Sequence, residues 1–328
     1  MSTSGTIGQT TFEVRKIIDG AFRRCRLPEQ AITSEMIESA KDQLWLILAS
    51  MQSQTLPLWA QDRQVLGLKE GQLSLDTPVG TIDIIQANLR TLRQVLGTET
   101  TASDRITTDI GTAQVIESVG FQVQAGTFAL TVETSDDDST YTARKTLASD
   151  TYETGAWVWV DLDPTVSARF WRLRETAGAV ITIDEFYLGT GASEINLGRT
   201  NLDTYATLSN RATRGRPTQY WVDRRFDRPR IELWPSPDTA NAKAQVVIWR
   251  HRHIMDVGTL RNSLEIPRRW HDAIVAVLAY RMAMETPAVD MNVIPMLKAA
   301  SDEASLLMAA NEKDASPMRI RFGMGGYT

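Results

Sequence analysis

The chain has 328 residues, 42% of them hydrophobic and 23% charged, with a net charge of -5. That balance excludes a collagenous, low-complexity or wholly disordered polypeptide and fits roughly two domains. A single cysteine, Cys25, allows no internal disulfide, no Cys/His group has zinc spacing, and no apolar run reaches the ~20 residues that span a bilayer. Residues 1–15 lack the apolar core of a signal peptide, so a reducing, cytosol-like compartment is expected.

The first 55 residues predict two helices. Val14, Ile17, Ile18, Ala21 and Phe22 recur at helical spacing, and Leu27-Pro28 ends that helix. Thr33 or Ser34 is the N-cap of a second helix, with Ile37, Ala40, Leu44, Leu48 and Met51 on one stripe that Trp45 and Ile47 widen. At the other end, Ile266-Pro267-Arg268 opens a helix carrying Trp270, Ile274, Val277, Leu278 and Met282, and Thr286-Pro287 stops it. A last helix spans about 291–313, with Ile294, Leu297, Ala304, Leu307 and Met308 inward and Pro295 in its first turn or at a kink. Four such stripes can cover one another as an antiparallel bundle.

Between the helix pairs the period is two. Segments 63–69 and 72–75 flank Glu70-Gly71 as a hairpin, and 219–223, 230–234 and 245–250 are three further strands joined by turn-rich links. Segments 121–123, 127–133, 141–147, 156–162, 168–174 and 181–188 predict an inserted antiparallel sandwich. From Thr101 to Thr190 stand 14 acidic and 6 basic residues, net -8, against net +3 for the remainder, so two bodies with different surfaces are expected.

Site signatures are few. There is no P-loop or nucleophile elbow, and Gly189-Thr190-Gly191 lacks the third glycine of a dinucleotide site. His251 and His253 read as surface residues rather than metal ligands, and Asp136-Asp137-Asp138 as a solvated turn rather than a calcium site. The densest charge cluster comprises Arg211, Arg214, Arg216, Arg224 and Arg225, continuing to Arg228 and Arg230. Planar guanidinium groups suit carboxylates at a subunit interface or phosphates of DNA, and the bland alternative is a network with Asp223 and Asp227. Trp157 and Trp159 alternate onto one face, either as a glycan-stacking platform or as core. The final segment, 316–328, is Gly-rich and reads as a frayed tail or an arm that orders on a partner.

Gly215-Arg216-Pro217-Thr218-Gln219-Tyr220-Trp221-Val222-Asp223-Arg224 and Ile231-Glu232-Leu233-Trp234-Pro235-Ser236-Pro237-Asp238 resemble the central motif of head-to-tail adaptors of short-tailed phages, the tail tubular protein A-like or head completion proteins. Leu197 to Leu208 resembles the segment before that motif, and the match covers 1–98 and 191–328. The resemblance implies a virion protein, assembled in the host cytoplasm, that forms a ring, usually of twelve copies. The ring would bind the portal and the tail nozzle and pass DNA non-specifically through its channel, with no cofactor, metal, membrane or enzymatic activity. It makes Tyr220, Trp221, Trp234, Pro235 and Pro237 structural, and 316–328 a portal-docking arm with Arg319, Arg321, Phe322 and Tyr327. The insert, with Trp157 to Leu162, Arg169 to Leu173 and Ile183 to Leu188, resembles a discoidin-like jelly roll. That implies contact with a fibre, a spike or glycans.

The expected fold class is therefore α+β: an antiparallel four-helix bundle from both termini with a small antiparallel β region, plus an inserted all-β jelly-roll sandwich. Its parts are 1–98, the insert 101–190, then 191–315 and the arm 316–328. The competing function is a carbohydrate-binding protein acting through the jelly roll. A wall hydrolase is the third reading, and no motif favours it.

Overall fold

The computed structural model describes residues 12–54 and 58–311. In chain order it begins with α1 (Val14–Arg24) and α2 (Ser34–Gln54), followed by β1 (Gln61–Gly67), β2 (Ser74–Asp76), β3 (Thr81–Val95), β4 (Thr98–Ala102) and β5 (Arg105–Val123). Next come β6 (Gly126–Phe128), β7 (Leu130–Ser135), β8 (Thr142–Thr146), β9 (Asp150–Tyr152), β10 (Val158–Glu175), β11 (Ile183–Asn196), β12 (Gly198–Thr200) and α3 (Leu202–Ala206). The chain continues through β13 (Arg214–Gly215), β14 (Gln219–Asp223), β15 (Arg230–Trp234), β16 (Ser236–Pro237) and β17 (Gln245–Arg252) to α4 (His271–Glu285) and α5 (Ile294–Asn311). Two compact units result. The segments up to Ala60 and from His253 onward form a helical one, and Gln61–Arg252 form a strand-rich one.

The helical unit packs α1, α2 and α5 around α4. Ala273, Ile274, Val275, Leu278, Ala279 and Met282 bury α4 on several sides at once, which is the behaviour of a central helix rather than a surface one. Its neighbours supply Ile17, Ile18 and Phe22 from α1, Leu44 and Ile47 from α2, and Leu297 and Met308 from α5. The thiol of Cys25 donates to the Ala279 carbonyl at 3.3 Å, and burial pushes its pKa up to about 11. The Thr33 hydroxyl caps α2 by accepting from Met36 N at 3.3 Å. The helices do not form a regular four-helix bundle: α4 touches α1, α2 and α5, while α1 and α2 meet only slightly. Pro295 lies in the first turn of α5 as expected. Leu307, expected inward, is 59% exposed, and Trp45 is 50% exposed.

The strand-rich unit is built on one nine-stranded sheet in the order β1-β17-β3-β11-β5-β10-β7-β8, with β4 also on β5. A four-stranded sheet, β12-β14-β15-β2, holds the motif strands. The expected hairpin at 63–75 is not formed. Its turn exists, with Gly71 at φ +72° and Gln72 N donating to the Lys69 carbonyl at 3.1 Å. Its strands part, however: β1 pairs with β17, and β2 pairs with β15.

The middle of the chain does have its own apolar core, from Ile106 to Leu188 around Phe121, Trp171 and Leu173. The small β6-β9 sheet covers it through Phe128 and Tyr152, so an antiparallel β-sandwich is present. The boundary drawn at Thr101 and Thr190 nonetheless cuts through continuous structure. β11 pairs with β5 through residues 183–189 and with β3 through 188–196. The Gly189-Thr190-Gly191 step is an irregularity within that strand. Gly191 is at φ +63°, and the Glu117 carboxylate accepts from the amides of Gly191 and Ala192.

Because Ile274 is fully buried on the helix that α1, α2 and α5 all touch, Ile274→Ala should destabilise the helical unit by roughly 2–5 kcal/mol. Chemical denaturation followed by circular dichroism at the helix signal would measure it.

Candidate functional site

A polar cluster runs across the large sheet, with Arg90, Asn88, Gln245 and Ser118 buried and Arg63, Asp161 and Glu194 reaching toward solvent. Gln245 on β17, Arg90 on β3 and Glu194 on β11 stand opposite one another in a single row of the antiparallel ladder. Asn88 shares the Arg90 face of β3, two residues away. On the next strands, Asp161 of β10 stands opposite Ser118 of β5.

The Arg90 side chain is 7% exposed, and its Nη1 donates to both Asp161 carboxylate oxygens at 2.7 and 2.8 Å and to Gln245 Oε1 at 3.3 Å. Arg63 from β1 joins the two acids, donating to Asp161 at 3.0 Å and to Glu194 at 2.8 Å. Asn88 donates to Glu194 at 3.0 Å, and Gln245 donates to Ser118 Oγ at 3.4 Å.

Burial alone would raise the pKa of Asp161, but the Arg90 charge and hydrogen bonds from Arg63 and Arg90 outweigh it and hold the carboxyl below the usual carboxylate range. Glu194 follows the same pattern, its burial outweighed by Asn88 and Arg63. Two carboxylates held ionised against guanidinium groups have no proton to donate near neutrality. The cluster is a clasp between strands, unlike a general acid/base pair. Glu133 on β7, taken by Arg172 and Arg174 of β10, and Asp62 on β1, taken by Arg250 of β17, repeat the device at smaller scale.

The predicted arginine cluster is spread along loops and strand ends, and most of it is neutralised within the chain. Arg224 pairs with Asp83 at 2.7 Å, Arg225 with Asp223 at 2.7 Å, and Arg214 with Glu70 at 2.8 Å. Arg211 donates to the Ala206 carbonyl and lies over the Tyr205 ring at 5.2 Å. Arg216 is exposed and makes no ion pair among the described residues. Arg228 and Arg230 share Asp76.

The motif residues lie in and beside the four-stranded sheet. Tyr220 is buried in the core beneath the motif sheet, and Trp221 stacks on Tyr205 at 5.3 Å. Trp234 Nε1 donates to the Asn210 carbonyl at 3.1 Å, and Pro235 follows it. Pro237 ends β16, where its carbonyl accepts from Gly71 N at 2.8 Å. Arg199, from the segment before the motif, donates to the Ile84 carbonyl at 2.7 Å and reaches Asp83.

Trp157 and Trp159 are not a glycan platform. They stack on each other at 5.4 Å and are buried with Tyr187 and Ala242. The alternation put them on one face correctly, but that face is covered by parts of the chain outside the expected insert. Asp137 is occupied by Ser135 and the amides of Ser139 and Thr140, which hold its pKa well below the carboxylate range. His251, expected at the surface, is buried, whereas His253 is exposed. No group of three or more potential metal ligands occurs among the described residues. Arg319, Arg321, Phe322 and Tyr327 lie outside the described residues.

One feature gave no signal in the sequence. A groove of about 570 Å³ opens beside β9, between Thr146 and Val158. Its lining comes from one short stretch whose residue types resemble those of any loop.

No family model matches the chain, and no curated relative does. Among solved structures, the carbohydrate-binding module CBM32-1 from a family 31 glycoside hydrolase of Clostridium perfringens is 12% identical; the match covers 42% of this chain and 98% of that one, with a TM-score of 0.24. The CBM32 module of AlyQ, in complex with 4,5-unsaturated mannuronic acid, is 17% identical over 34% of this chain and 98% of that one, also at 0.24. Overlaps this low carry no conclusion about what this chain binds.

The clasp predicts acid sensitivity of defined sign. Asp161, Glu194, Glu133 and Asp62 have folded pKa values below their unfolded ones, so their stabilisation is complete above the unfolded values and is lost as pH falls through the folded ones. Urea midpoints should hold near neutrality and drop below about pH 4. Asp161→Ala should cost about 3 kcal/mol at neutral pH by leaving Arg90 uncompensated, and should flatten that acid limb.

Proposed function

We propose that this protein is a structural, non-catalytic connector that works by assembling with other protein chains. The phage head-to-tail adaptor, a ring in the virion between portal and tail, is the specific form of that reading. The observation that carries it is the apolar surface of the helical unit. Met296 and Leu307 lie about three turns apart on one face of α5 with Ala300 between them, and Leu306 flanks that face. Leu306 is 73% exposed, and Met284 and Met291 are exposed as well. Large apolar side chains grouped in water mark protein–protein contacts.

The adaptor form rests in addition on the resemblance of the 215–238 motif to that of the adaptor family. In that form, Arg216 and the arm residues 316–328 face other subunits or the portal, and the channel passes DNA without sequence preference. Clasped carboxylates and the motif's structural role both suit a chain without enzymatic activity.

A second reading is favoured by the groove beside β9: the middle strands make contact with a glycan. The two readings are compatible, since one uses the helical unit and the other the strand-rich unit.

Purified protein, alone and mixed with a portal, should form closed rings by electron microscopy and sediment as a large oligomer. The double substitution Leu306→Glu and Leu307→Glu should reduce it to monomer while leaving its circular dichroism intact. A wild-type chain that stays monomeric at high concentration and does not bind a portal would contradict the connector reading.

A further inference from the structure

The groove beside β9 combines three kinds of surface. Its apolar part comes from Leu147, Ala156 and Val158, its acidic part from Asp150 and Glu153, and no lysine or arginine lines it. Tyr152, also in the lining, is only 7% exposed, and its ring is fixed between Phe121 at 6.0 Å and Phe128 at 6.4 Å. Its hydroxyl makes no hydrogen bond among the described residues and, unlike the ring, is open to solvent, where it is free to donate to a ligand.

Burial, followed by the charge of Asp150, raises the Tyr152 pKa, so the group stays protonated and able to donate. Asp150 and Glu153 stand at an exposed rim, where Glu153 has Lys69 at 4.0 Å, a distant and weak pairing. Around them, the segment from Thr101 to Thr190 carries net charge -8, a field that draws cations and repels anions.

We infer that this groove binds a cationic amino sugar, the glucosamine unit of a deacetylated glycan. The apolar face of the sugar lies on Leu147 and Val158, a sugar hydroxyl accepts from Tyr152, and the ammonium sits between Asp150 and Glu153. The groove volume is within the range that takes small ligands of oligosaccharide size. A uronic acid would meet like charge at the rim, and a neutral hexose would gain no ionic contact with Asp150 or Glu153. The inference deepens the glycan reading given above and rests on it.

The test is calorimetric titration of the full chain, at mildly acidic pH, with three oligomers: glucosamine, N-acetylglucosamine and galacturonate. The glucosamine oligomer should bind tightest and the galacturonate oligomer should not bind. Tyr152→Phe, which keeps the ring packing, should weaken binding about tenfold with no change in melting temperature. Glu153→Gln, at an exposed position, should also weaken binding and reduce its dependence on salt. Equal affinity for charged and neutral oligomers would overturn the ligand class and leave the glycan reading standing. Glycan binding that neither substitution affects would overturn the groove as the site. Silence toward all three oligomers and across a glycan array would overturn both.

Discussion

An arginine side chain that is nearly out of water, in the middle of a sheet, sets the terms for the strand-rich unit. Transferring a guanidinium into such surroundings costs several kcal/mol unless charge and hydrogen bonds compensate it. Arg90 is on β3, but its compensation comes from elsewhere: Asp161 on β10 and Gln245 on β17. Arg63 on β1 then ties Asp161 to Glu194 on β11. These strands span the chain from Gln61 to Arg252. The middle segment can therefore have its own apolar core without being an independent body, because its Asp161 completes an ion cluster whose bases, Arg90 and Arg63, belong to the flanking strands. Apolar side chains in the same positions would pack, but would not specify which strand lies beside which.

The motif that suggests a phage adaptor lies in a different part of the same unit and does different work. Tyr220, Ile231 and Leu233 fill the core beneath the four-stranded sheet, while Trp221, Tyr205 and Arg211 form a stack on its other side. The arginines of this region are largely spent on Asp76, Asp83, Asp223 and Glu70. Such pairing fixes loops at strand ends and leaves Arg211, held by a carbonyl and the Tyr205 ring, and exposed Arg216 without an ion pair among the described residues. The helical unit shows the opposite economy: α4 is buried on several sides, whereas α5 keeps an apolar face in water.

Much of this was legible in the sequence, and the failures have physical causes. The helix stripes, the stop at Thr286-Pro287 and the capping at Thr33 all follow from local rules. Strand β3, the central strand that receives both β17 and β11, gave no such signal. Asn88 and Arg90 occupy buried positions where an apolar residue would complete the alternation, and only their partners far along the chain make that tolerable. The same long-range pairing hides the continuity at Thr190, where the step at Gly189-Thr190-Gly191 is an irregularity within β11 rather than the end of a body. Trp157 and Trp159 were ambiguous for a related reason. Alternation shows that two rings share a face, but not that Tyr187 and Ala242 cover it. The Tyr152 groove is lined from the stretch around β9, a strand of three residues that offers no periodicity to read.

Hydrogen exchange with mass spectrometry in mild denaturant tests the central claim most directly. If the Arg90 clasp makes the flanking and middle strands one structure, peptides from β3, β17, β5 and β10 should lose protection together, at one denaturant concentration and by one cooperative opening. Peptides from β5, β7 and β10 that stay protected after β3 and β17 have exchanged would show a separate domain, and the account would be wrong.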